Sequence, residues 1–108
     1  MSVLTMDKPE LDEVLRTVAL ELMYNNPQKW QSPEGPTASE IAKRHNLNQD
    51  IVKKKLNYLV AIGLVRSINI NPKRWVFDEY NFERMDTDDP LYGLLVRYDD
   101  DDYIKFCF

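Results

Sequence analysis

The chain has one cysteine, one histidine and three glycines among 108 residues, and each scarcity excludes something. Cys107 alone cannot close an intramolecular disulfide, and the default for it is terminal packing. His45 alone cannot assemble a histidine-based metal cluster or a Ser/His/Asp triad. So few glycines leave no Gly-rich phosphate loop, and no metal-hydrolase motif is present. Catalysis therefore has no candidate residues, and neither metal nor cofactor is expected. The acidic run Asp99–Asp102 lacks the alternating oxygen ligands and the glycine of a calcium loop, and reads as a solvated turn. Apolar runs fall far short of the roughly 18–20 residues a membrane span requires. Met1–Asp7 has neither a basic region nor an apolar core, so a cytoplasmic location is expected.

With 44% apolar and 11% aromatic residues, the chain is sized for one domain that buries its own core. Its net charge of −4 conceals a division into three blocks: −3 over residues 1–36, +4 over 37–80 and −5 over 81–108. A uniformly acidic protein is repelled by nucleic acid. A basic middle block can still neutralise phosphates if the acidic ends face away.

Asp7 and Glu10 have capping-box spacing, Met6 and Leu11 stand at staple positions, and Pro9 falls in a first turn. Leu11, Val14, Leu15, Val18 and Leu22 then form an amphipathic stripe, which predicts a helix over 8–24. Asn25–Pro36 is rich in turn residues and reads as a loop anchored by Trp30. Thr37-Ala38-Ser39-Glu40 is a second capping box, and it opens a two-turn helix over 38–45. Asn46 tolerates left-handed geometry and reverses the chain, with Leu47 under the turn. Asn48 caps a third helix over 49–62, whose expected buried stripe is Val52, Leu56, Leu59 and Val60, with Gly63 as terminator. Lys55 is expected to lay its stem over the core with its ammonium in water. Leu64–Ile70 and Trp75–Tyr80 predict a β-hairpin with a basic tip, in which Trp75, Phe77 and Tyr80 are core and sheet packing.

The segment 81–108 admits two readings. Leu91, Leu94, Leu95 and Tyr98 after Pro90 have helical spacing. Tyr92, Leu94, Val96 and Tyr98, with Ile104, Phe106 and Phe108, give two alternating strands around Asp99–Asp102. Gly93 would cost a helix about 1 kcal/mol relative to Ala, and the second hairpin is favoured.

Two capped helices joined by a tight turn and followed by a hairpin are the parts of a winged helix-turn-helix. The run Ile41-Ala42, Leu47, Val52, Leu59 and Gly63-Leu64-Val65 resembles that DNA-binding superfamily, broadly its MarR-like and ArsR-like bacterial regulators, over about residues 37–80. Asn46 stands where Gly is commoner, and His45 and Lys55 occupy positions that are often apolar. The expected fold class is thus α+β, three helices with a β-hairpin wing and a C-terminal extension.

The resemblance implies that helix 49–62 enters the major groove of double-stranded DNA and that the hairpin holds the backbone. Gln49, Asp50, Lys53, Lys54 and Asn57 are expected on its outer face, where Gln and Asn suit adenine and Lys suits guanine or phosphate. Thr37, Ser39 and Asn48 at the helix starts, and Arg66, Lys73 and Arg74 on the wing, complete the expected contact set. Asp50 has a second reading as a charge favourable to the helix dipole. A transcriptional regulator of this kind binds paired half-sites as a homodimer, for which the first helix and the C-terminal hairpin are the expected surfaces. The competing reading is a winged-helix interaction module within a transcription or replication assembly. It would bind protein through the C-terminal apolar face and never touch DNA, and the negative net charge favours it.

Overall fold

A computed structural model describes residues 11–25, 35–68 and 73–97. The expected cap at Asp7, the Trp30 anchor, the tip of the hairpin, the Asp99–Asp102 turn and Cys107 lie outside those residues. Among the described residues, five helices and a two-stranded antiparallel hairpin make up a small α+β domain: α1 (Glu13–Tyr24), α2 (Ala38–His45), α3 (Gln49–Ala61), β1 (Val65–Ile68), β2 (Arg74–Phe77), α4 (Glu79–Glu83) and α5 (Pro90–Val96).

Helix α1 starts later than its capping signals predicted. Asp12, in extended conformation, accepts the Leu15 N–H at 2.9 Å and is the N-cap. Leu11 consequently lies outside the helix and is exposed. From Leu15 to Leu22 every residue except the half-buried Thr17 is buried, including Arg16 and Glu21. The helix is therefore central rather than amphipathic at the surface, because α2, α3, β2 and α5 all pack against it. The core joins Leu15, Val18, Ala19 and Leu22 to Ile41 and Ala42 of α2, Val52, Leu56 and Leu59 of α3, Trp75 and Phe77 of β2, and Leu91 and Leu95 of α5.

Two charges inside this core are met by directed partners, as buried ions require. The Arg16 guanidinium donates to the carbonyls of Leu94 (3.1 Å) and Arg97 (2.7 Å) at the end of α5. Arg97 Nη2 in turn donates to both carboxylate oxygens of Glu13, at 2.8 and 3.0 Å. The fully buried Glu21 carboxylate receives Arg44, His45 Nε2 at 2.6 Å and Asn25 Nδ2 at 2.6 Å. His45, expected to pack at a helix end, does so as part of this cluster. A third contact corrects the expectation for Lys55. Its stem is buried, but its ammonium meets the Asp12 carboxylate at 3.2 Å rather than water.

In the hairpin, Val65 pairs with Phe77 and Ile68 with Arg74. A bridge from Thr37 to Arg74 and the Trp75 N–H to Pro36 carbonyl bond (3.2 Å) place the approach to α2 along the other edge of β2. Gly35 makes this approach feasible, since a Cβ there would meet the Trp75 carbonyl oxygen at 1.7 Å. The second strand ends at Phe77, short of the expected Tyr80. The Asp78 carboxylate caps the Asn81 N–H at 3.0 Å and starts α4, which leaves Tyr80 on a helix and 64% exposed rather than in the sheet.

The favoured strand reading of Tyr92–Val96 is overturned. Asp89 caps α5 and Pro90 occupies its first turn, while Leu91 and Leu95, four residues apart, bury against α1. Gly93 faces open space, so its cost is the propensity term alone, which two buried leucines exceed. Leu91, Leu95 and most of α1 are thereby internal, while Tyr92 and Leu94 are half-buried and Val96 is exposed.

Glu21→Gln, which strips the counter-charge from Arg44 and alters the hydrogen-bond partner of His45, is expected to destabilise the fold by about 2–4 kcal/mol in urea denaturation; a loss below about 0.5 kcal/mol would show the cluster to be dispensable. A pH dependence follows at Asp12. Partial burial raises its pKa, but the Leu15 N–H and the Lys55 hydrogen bond and charge together outweigh that and hold it below the ordinary carboxylate value. Its stabilisation is thus present above the unfolded pKa, near 4, and is lost as pH falls through the folded value. Asp12→Asn should flatten the acid limb of Tm measured between roughly pH 2 and 6.

Candidate nucleic-acid interface

The capping box that opens α2 is fully formed. Thr37 Oγ1 accepts the Glu40 N–H at 3.1 Å and Glu40 Oε1 accepts the Thr37 N–H at 2.9 Å. At the other end Asn46 adopts φ 55°, ψ 49°. The N–H groups of Leu47 and Asn46 then reach back to the carbonyls of Ala42 (2.8 Å) and Lys43 (3.4 Å), closing a Schellman turn. Asn48 Oδ1 at once caps α3 by accepting the N–H groups of Asp50 (2.8 Å) and Ile51 (3.2 Å). The reversal between α2 and α3 is thus fixed by two asparagines and one buried-side leucine. A second Schellman turn ends α3, with Gly63 at φ 87° and the Leu64 N–H on the Leu59 carbonyl at 3.0 Å.

The inner face of α3 is Val52, Lys55, Leu56 and Leu59. Val60, expected inside, is exposed because Lys55 and its Asp12 partner rotate the buried stripe toward α1. Gln49, Asp50, Lys53, Lys54 and Asn57 are all exposed. Asp50, Lys54 and Asn57 stand within about 60° of one another on a 100°-per-residue helix, with Gln49 and Lys53 on the adjoining flank. The outward side of α3 therefore carries two ammonium groups, two amides and one carboxylate.

The remaining expected residues divide sharply. Thr37 is buried and spent on its cap, Ser39 is half-buried in the first turn of α2, and Asn48 is exposed with its carbonyl oxygen committed to α3. Arg74 is half-buried and donates to the Gly35 carbonyl at 2.9 Å and to Glu40 at 3.3 Å, so it serves the junction of β2 with α2. Arg66 is exposed and lies 3.8 Å from Asp78. Lys73 is exposed, its ammonium 5.6 Å from the Trp75 ring centroid. Lys43, exposed on α2 and absent from the expected set, is a further surface cation; its place beside Arg44 in the last turn was the available signal.

Asn46→Ala forces a Cβ-bearing residue without a compensating amide into left-handed geometry and should cost about 1 kcal/mol, whereas Asn46→Gly should be neutral within about 0.5 kcal/mol. Chemical denaturation of both variants checks this; equal losses would contradict the role given to the turn.

No protein-family model, no curated protein and no solved structure matches this chain.

Proposed function

We propose that the protein is a winged-helix, double-stranded DNA-binding regulator without catalytic activity, in which α3 enters the major groove and the β1–β2 hairpin lies on the adjoining backbone. The observation that carries this reading is the outward side of α3, where Lys53, Lys54, Gln49 and Asn57 all stand exposed on a helix held only along its opposite face. Such a helix fits a groove about 12 Å wide, and its amides and ammoniums match base edges and phosphates. The edge-to-edge order Thr37, β2, β1 supports the winged arrangement, because it brings the start of α2, the hairpin and α3 into one unit. Lys73 and Arg66 are the hairpin's candidates for backbone contact, with Arg74 reserved for the fold. The chain acts as a homodimer on paired half-sites under this reading.

A protein-docking module is the second reading. The exposed carboxylate of Asp50 among the outward residues and the net charge of −4 favour it.

Duplex affinity measured against salt concentration separates the two. DNA binding predicts a steep fall of affinity with salt, and Lys53→Ala or Lys54→Ala each reduces the slope by about 1 while the fold stays intact. Gln49→Ala and Asn57→Ala should instead relax sequence preference by about 1–3 kcal/mol at a single position each. Binding that is absent at about 50 mM salt, or indifferent to salt, would overturn the proposal in favour of protein docking.

A further inference from the structure

A cavity of about 360 Å³ opens between the end of α1, the end of β2 and α4, lined by Met23, Phe77, Glu79, Phe82 and Glu83. Among the described residues its chemistry is one-sided: a thioether and two aromatic rings form the walls, two carboxylates accompany them, and no basic side chain contributes to the lining. The helical period explains this. Glu79, Phe82 and Glu83 are spaced i, i+3, i+4 and share one face of α4, whereas Tyr80 and Arg84 share another. Arg84, the cation nearest in sequence, is turned onto Tyr80, 5.2 Å from its ring centroid and 3.0 Å from its hydroxyl. The walls are braced, since Phe82 lies 5.6 Å from both Phe77 and Tyr92, tilted against the first and stacked on the second.

We infer that this cavity binds a small organic cation with an apolar body, of the arylalkylammonium class. Its volume lies at the lower end of the ligand-pocket range, roughly 300–1,000 Å³, enough for one ring and a short aminoalkyl arm. Aromatic and thioether walls favour the ring, and the solvent-exposed Glu83 carboxylate among the lining residues favours the ammonium by a charge-assisted hydrogen bond. An anion is excluded by the same carboxylates. Glu79 has a further interaction of its own, so Glu83 is the counter-charge. The site is independent of the DNA-binding reading and stands or falls separately from it.

Amide chemical shifts of the full chain, followed during titration with 2-phenylethylamine and in parallel with the neutral analogue 2-phenylethanol, test the inference. Saturable shifts centred on Met23, Phe77, Phe82 and Glu83 are expected for the amine, with the alcohol about fivefold or more weaker. Glu83→Gln should weaken the amine about fivefold and leave the alcohol unchanged, a difference that a general loss of structure would not produce. Equal affinity for the two compounds, an amine response untouched by Glu83→Gln, or shifts that fail to saturate would each overturn it.

Discussion

A helix buried on nearly all sides can carry an ionic group only where another element supplies its partner, and α1 carries two. Apolar packing against α1 is largely non-directional, so it fixes how closely neighbours approach more than how they are oriented. The charged contacts supply orientation. Arg16 binds the last carbonyls of α5, Glu21 gathers the final residues of α2, and Asp12 at the N-cap holds Lys55 in the middle of α3. Each bond reaches a different partner helix. The pose of α2 and α3, and hence which residues α3 turns outward, follows from α1.

This arrangement also redistributes the basic surplus of the middle block. Of its eight cations, Lys55 lies within the core boundary, Arg44 answers Glu21, and Arg74 ties β2 to the start of α2. Lys43, Lys53, Lys54, Arg66 and Lys73 are exposed without serving the core, Arg44 is exposed while paired to Glu21, and Arg66 has Asp78 close by. Formal charge in a sequence segment therefore overstates surface charge wherever cations are drafted into structural pairs.

The local signals between Thr37 and Gly63 translated into structure faithfully, unlike those at the start of α1. The Thr37/Glu40 box, the asparagine turn at 46 and Gly63 each act through hydrogen bonds within a few residues, and α2 ends where they predicted, with α3 within one residue. The exposed set on α3 was legible for the same reason. Most of what failed between Asp12 and Val96 depended on distant partners. Alternation at Tyr92–Val96 looked like a strand because the pattern cannot show that Leu91 and Leu95 have α1 to pack on. The burial of Arg16 and Glu21 had no local mark at all, since their partners lie 78 and 23 residues away. Val60 and Lys55 exchanged places because the buried stripe was set by a neighbouring helix, which hydrophobicity along α3 alone does not register. At the hairpin, Asp78 two residues before Tyr80 was a readable helix cap, but an aromatic run masked it.

Under the proposed reading, an acidic protein that meets a polyanion must derive its affinity at short range. At physiological salt the Debye length is about 8 Å, so acidic groups on remote faces are largely screened, while ammoniums at a phosphate are not. Lys53 and Lys54 supply that contact charge, and Asp50, three and four residues before them on the same helix, subtracts from it. The balance weakens attraction to arbitrary duplex, where only phosphates are met, more than to a cognate site where Gln49 and Asn57 also find base edges. A mixed outward face is therefore compatible with DNA binding as a device for selectivity, whereas an all-basic face of equal size would bind tightly and discriminate little.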